Sequence, residues 1–116
     1  MIKNYISIIA LLLLLNCSDN DIAKDTPSCI KKIIEGLKKD NVANPAAKVY
    51  RFQYEGRTVY YIPPKCCDMT SMLFDENCNI ICSPDGGFSG TGDGKCIDFY
   101  KNATEEELVW EDKRGR

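Results

Sequence analysis

The sequence predicts an α+β fold: a small disulfide-rich domain in which one N-terminal amphipathic helix packs on a short antiparallel sheet beside a glycine-rich loop. Three observations predict it. Ile30, Ile33, Ile34 and Leu37 recur at i, i+3, i+4 and i+7, the apolar face of a single helix. Two runs rich in aromatic and β-branched residues, 49–54 and 57–62, flank Glu55-Gly56, which signals a hairpin. The chain has seven cysteines, and all but Cys17 (Cys29, Cys66, Cys67, Cys78, Cys82 and Cys96) lie in its body, an even set suited to three disulfides.

Taken in order, residues 1–16 read as a signal peptide. Lys3 supplies the positive start, and residues 6–15 form an apolar core. A spanning helix needs about 20 apolar residues, so this core is too short to cross a bilayer but suits an export signal. Leu14-Leu15-Asn16-Cys17 resembles the lipobox of bacterial lipoproteins, which implies acyl chains, palmitate among them, on Cys17. Asn16 departs from the small residue usual there; the alternative is an unpaired thiol beside a conventional cleavage site. Residues 17–26 are polar and acidic, a tether from membrane to domain. Ser18-Asp19-Asn20-Asp21 also resembles the signal that sends lipoproteins of Bacteroidota to the outer face of the outer membrane. The expected location is the bacterial outer membrane, surface-facing or periplasmic.

The domain is expected over residues 27–102. Thr26-Pro27 reads as an N-cap and first turn. Lys31, Lys32, Lys38 and Lys39 take the solvated face of the helix, the last two suiting its dipole. In the hairpin, Tyr50, Phe52 and Tyr54 share one side, while Thr58, Tyr60 and Ile62 share a side with Val59 and Tyr61 opposite. The tyrosines are expected chiefly to pack the strands. Cys66 and Cys67 are adjacent, and the ring such a pair would close is strained, so each is expected to find a separate partner in a knot-like centre. The pairing stays open among 15 arrangements. Residues 78–82 read as a further strand with Cys78, Ile80 and Cys82 on one side. Gly86, Gly87, Gly90, Gly92 and Gly94 with Asp85 and Asp93 then crowd one loop before Cys96: a tight wrap or a ligand loop. Residues 97–100 read as a short edge strand. Thr104 with Glu107 looks like a capping box opening a brief helix in a short helical or frayed tail over 103–116.

A folded region this short buries little core and needs staples, and disulfides require an oxidising compartment, in agreement with the export signal. The formal charge is −2, with 15 basic and 17 acidic residues, and loss of Lys3 leaves the mature chain mildly more acidic. No basic patch is interleaved with aromatics, which argues against nucleic acid. A mildly acidic surface does not favour anionic head groups either, so the expected membrane contact is the N-terminal lipid.

There is no histidine, which removes histidine-based nucleophile pairs and most zinc sites. No catalytic residue, cofactor or metal ligand is expected. Gly90-Thr91-Gly92-Asp93-Gly94-Lys95 fails as a P-loop, lacking glycine at Ser89 and a hydroxyl residue at Cys96. Asp75, Asn77 and Asn79 sit at calcium-ligand spacing, but Ile80 and Gly86 occupy the positions an EF-hand gives to glycine and glutamate.

Cys66-Cys67-Asp68, Ile81-Cys82-Ser83-Pro84-Asp85-Gly86-Gly87 and Gly90-Thr91-Gly92-Asp93-Gly94-Lys95-Cys96, with Asp98-Phe99, together resemble a family of small bacterial lipoproteins carrying a cysteine-rich domain of unknown function. The resemblance covers about residues 27–99, with Ile97 where proline is expected. It implies class and location and supplies no catalytic residues. Residues 81–87 also bear a weaker resemblance to Kazal-type protease inhibitors, though the segment that should follow is missing. The functional expectation is a lipid-anchored envelope protein, a non-catalytic module binding a protein or glycan partner, with a Kazal-like inhibitor as the alternative.

Overall fold

A computed structural model of the chain describes residues 21–66 and 68–114. The signal peptide, Cys17 and Cys67 lie outside the described residues. Helix α1 (Ser28–Lys39) is followed by β1 (Lys48–Tyr54), β2 (Arg57–Ile62), β3 (Met72–Phe74), β4 (Ile80–Cys82), the short helix α2 (Phe99–Asn102) and β5 (Thr104–Glu111). The strands form one antiparallel sheet in the order β4-β3-β2-β1-β5. The fold is the expected α+β.

The first four strands follow one another as a meander. The chain then crosses from the β4 edge to the opposite edge, laying the glycine-rich segment and α2 over one face of the sheet. Helix α1 covers the other. Two-residue alternation sorts the strand side chains between these layers. Phe52, Tyr54, Val59, Tyr61, Leu73 and Cys82 meet Cys96 and Phe99 under the crossing segment. Val49, Tyr60 and Phe74 meet Ile30, Ile34, Val109 and Trp110 under α1. The hairpin has the expected arrangement: Phe52 lies opposite Val59 and Tyr50 opposite Tyr61. Ile30 and Ile34 are fully buried, each contributing about 1.5–3 kcal/mol of transfer free energy.

Each core layer has its own staple. Cys29–Cys78 ties α1 to the β3–β4 turn, and Cys82–Cys96 ties β4 to the end of the glycine-rich segment. Cys66 is also disulfide-bonded, and its partner lies outside the described residues. The expected knot, with Cys66 and Cys67 reaching different cysteines of the body, does not form: Cys29, Cys78, Cys82 and Cys96 pair among themselves. The expectation that Cys78, Ile80 and Cys82 share one side also fails. Leu73 faces Cys82 and Phe74 faces Ile80, so Ile81 is an extra residue that breaks the alternation. Cys78 takes a left-handed φ of 63° in the turn before β4 and points to the helix layer.

Four further expectations are corrected. The tail from Thr104 is a strand, not a helix. The outer edge of β1 would otherwise stand unpaired, and pairing there also buries Val109 and Trp110, which outweighs a local capping preference. Residues 97–100 are not a strand; α2 turns Phe99 into the core. The expected tether is docked from residue 21 onward: the Ala23 amide donates to the Val109 carbonyl at 2.9 Å, and Ile22 and Ala23 pack on the helix layer. Thr26 does not cap α1. Its hydroxyl donates to the Ala23 carbonyl at 2.6 Å, and Pro27 stands at the N-cap.

Candidate functional site: a glycine wrap beside an aromatic row

The crossing segment begins at Cys82 and is closed at Cys96. Between them the chain turns back on itself repeatedly, which requires glycine. Gly86 has φ 86°, and a Cβ there would lie 2.6 Å from the Met69 carbonyl oxygen; Gly92 has φ 63°, and a Cβ there would lie 1.8 Å from that of Ser83. Only a residue without a side chain fits either place. Several of the loop's amides donate to its own carbonyls: Gly86 to Gly90 at 3.3 Å, Gly90 to Gly87 at 3.3 Å, Gly92 to Gly86 at 3.1 Å, Asp93 to Ser83 at 3.0 Å and Gly94 to Thr91 at 3.4 Å. Asp93 accepts from the amides of Ser83 and Lys95, both at 3.0 Å, and these bonds hold its carboxyl below the usual range. The geometry of the loop is that of a tight wrap.

Asp85 looks the other way, toward the sheet. Tyr61 donates to its Oδ1 at 2.8 Å and Tyr100 to its Oδ2 at 3.0 Å, and the two hydroxyls also meet. Its backbone is pinned by Ser71, which is fully buried: the Asp85 amide donates to Ser71 Oγ at 3.1 Å, and the Ser71 amide donates to the Asp85 carbonyl at 3.0 Å. Beneath the cluster, Phe99 packs against Phe52, Tyr54, Tyr61 and Tyr100 with ring centroids 5.1–5.4 Å apart. Tyr54 donates to Asp98 at 2.6 Å, and Asn102 donates to the same carboxylate at 2.9 Å. These contacts hold Asp98 below the usual carboxylate range.

Leu108, Tyr50 and Tyr61 stand side by side across β5, β1 and β2, and Tyr100 continues the row. Tyr61 is buried and Tyr50 half-buried, whereas Leu108 and Tyr100 face solvent, Tyr100 at 60%. The strand tyrosines thus pack as expected, and the open part of the row comes mainly from α2. Burial first, then the hydroxyl contact with Tyr100 and the hydrogen bond to Asp85, push the Tyr61 phenol far above its usual range. The Asp98 hydrogen bond does the same for Tyr54, with burial second. A phenol raised in this way is neither a nucleophile nor a base near neutral pH. What the cluster does is fix the angle at which Tyr100 is presented.

The predicted loop residues Asp85, Gly86, Gly87, Gly90, Gly92, Asp93 and Gly94 therefore all fall in one unit, with Asp85 joined to the aromatic row. Sequence reasoning missed Ser71, Phe99 and Tyr100, whose roles depend on a crossing that brings distant residues together. The Asp98-Phe99-Tyr100 step, an acid followed by two aromatics just after a closing cysteine, is the one signal that points there. No group of three or more acidic or cysteine side chains able to hold a metal occurs among the described residues. Asp75, from the rejected calcium spacing, instead accepts from the amides of Asn77 and Asn79, both at 2.9 Å. A concavity of about 380 Å³ lies on the helix side of the sheet, between Arg51, Tyr60, Glu76, Glu105 and Glu107; there Arg51 pairs with Glu107.

The chain belongs to the family described as Domain of unknown function (DUF6970).

The matched DUF6970 segment, residues 35–112, opens in the second half of α1 and runs through β5. It takes in the whole sheet, the wrap and the aromatic row, while Cys29 lies before it. No curated protein and no solved structure matches the chain.

Proposed function

We propose that this DUF6970 chain is a lipid-anchored protein of the bacterial outer membrane, surface-facing or periplasmic, whose domain binds a protein or glycan partner without catalysing a reaction. The binding surface is the open end of the aromatic row, Tyr100 with Leu108 and Tyr50. The observation that carries the reading is the fixed presentation of Tyr100. Its hydroxyl is tied to Asp85, its ring is seated on Phe99, and the wrap behind it is closed by Cys82–Cys96. A contact surface already ordered in the free protein loses little conformational freedom on binding, and tyrosine offers large contact area with few rotatable bonds. The address rests on the apolar run ahead of Cys17 and agrees with disulfides that need an oxidising space.

Two measurements test it. Mass analysis of the N-terminal peptide from envelope-purified protein is expected to find acyl chains on Cys17. Calorimetric titration against cell-wall glycan fragments and purified envelope proteins is expected to find a partner whose affinity falls on Tyr100→Ala, with the domain still folded. Turnover of any of those molecules, or binding that Tyr100→Ala leaves unchanged, overturns the reading.

A further inference from the structure

The described chain begins at a particular end of the domain. Asp21 accepts from Trp110 Nε1 at 3.2 Å and pairs with Lys38 at 3.0 Å, beside the C-terminal end of α1. Contacts lead from there across the same end. Arg114 donates to the Lys38 carbonyl at 2.7 Å and the Asp40 carbonyl at 3.1 Å, and Asp40 pairs with Lys65 at 3.7 Å. Lys65 and Met69 border an apolar groove of about 210 Å³ between α1 and β2–β3, lined by Leu37, Ile62 and Met72. The Gly87 amide donates to the Met69 carbonyl at 3.1 Å, which places the next residue, Phe88, beside it. Phe88 is 96% exposed and Met69 55%, and Val42, just beyond α1, is 47% exposed.

The opposite end is different. There the β1–β2 turn carries Glu55, the β3–β4 turn carries Asp75 and Glu76, and β5 begins with Thr104-Glu105. Several carboxylates at the Asp21 end are matched by bases, Asp40 by Lys65, Asp112 by Arg114 and Glu111 by Lys48, while Asp68, next to Met69, stands outside these pairs. The carboxylates Glu55, Asp75, Glu76 and Glu105, with Arg57 beside Asp75, thus lie away from Asp21, and the exposed apolar side chains Phe88, Met69 and Val42 lie near it.

Cys17 precedes Asp21 by four positions, a reach of at most about 14 Å. Helix α1 alone, with 12 residues, is about 18 Å long. An acylated Cys17 therefore keeps the Asp21 end within touching distance of the head groups. Resting on the lipid-anchor reading, we propose that this end of the domain docks on the bilayer surface, with Phe88, Met69 and Val42 inserted among the lipid head groups. Apolar side chains at the interface beside charge-balanced polar groups suit that layer. The docked pose turns the acidic end outward and leaves the aromatic row at the side, open to a partner.

The test uses lipidated full-length protein purified from envelopes and reconstituted in phosphatidylethanolamine–phosphatidylglycerol vesicles carrying a doxyl lipid labelled near the head group. Phe88→Trp reports the near end, and Ile80→Trp, in the 63%-exposed position on β4, reports the far end. Each is read as emission added to that of buried Trp110. Docking predicts a blue shift and loss of most of the added emission for Phe88→Trp, with neither for Ile80→Trp. Equal quenching of the two, or none, in a sample whose N-terminal peptide carries acyl chains overturns the docking and leaves the anchor standing. An unacylated N-terminal peptide overturns both.

Discussion

Gly92→Ala is the sharpest test of the wrap. The residue sits at φ 63°, and its added methyl would lie 1.8 Å from the Ser83 carbonyl oxygen and 2.8 Å from the Asp85 amide, both backbone atoms that cannot step aside alone. Left-handed backbone costs an L-residue about 1–2 kcal/mol. Relieving the clash means opening the strand of loop at Ser83, which gives up the Asp93-to-Ser83 and Gly92-to-Gly86 hydrogen bonds at about 1 kcal/mol each. The expected loss is about 3–4 kcal/mol, a large share of the stability of a domain this small. Gly94→Ala is the matched control: its φ is 78°, yet a Cβ there meets nothing within 4 Å, so only the conformational cost of about 1–2 kcal/mol remains. Urea unfolding of the oxidised proteins, followed by Trp110 fluorescence, measures both. If the two variants are destabilised equally, the close approach at Gly92 does not exist as described and the wrap is looser than its hydrogen bonds imply.

Replacing Cys29 and Cys78 with alanine opens a separation of 49 residues and is expected to cost about 4 kcal/mol, against about 3 kcal/mol for Cys82 and Cys96 with a separation of 14; thermal melts of the two double variants check the order. Tyr54 and Tyr61 have folded-state pKa values raised above the ordinary 10.0, so their contribution is intact below pH 10 and is lost as the pH rises beyond it. Alkaline titration at the phenolate absorbance should therefore show both ionising together with unfolding, and Tyr54→Phe should remove one phenolate from that cooperative step. Asp93, Asp98 and Asp112 are held below 3.8, so their contribution is present above pH 3.8 and disappears as the pH falls below it; denaturant midpoints collected down the acid limb should fall there, less so for Asp93→Asn.

Legibility followed distance along the chain. The hairpin could be read, side by side and residue by residue, because its two strands are separated by Glu55-Gly56 alone and alternate cleanly. Helix α1 could be read from Ile30, Ile33, Ile34 and Leu37 for the same local reason. β5 could not: three consecutive glutamates behind Thr104 look like a helix start, and the edge that recruits them as a strand, β1, lies more than 50 residues earlier. The sidedness of Cys78 and Cys82 was hidden by a single extra residue, Ile81, since one insertion in a strand reverses every assignment beyond it. In the candidate site, the glycines and Asp85 announced themselves by composition. Ser71, Phe99 and Tyr100 acquire their roles only once the crossing segment is laid over the sheet, and the Asp98-Phe99-Tyr100 step is the only local hint of it.

The two staples divide the molecule's vulnerability. Cys29–Cys78 fastens the helix to one side of the partition and Cys82–Cys96 fastens the wrap to the other, with the sheet between them. A mild reductant that reached one bond first would slacken a single shell while its neighbour stayed laced. Loss of either bond would free one covering layer from its cross-link to the sheet and leave the other layer's cross-link in place.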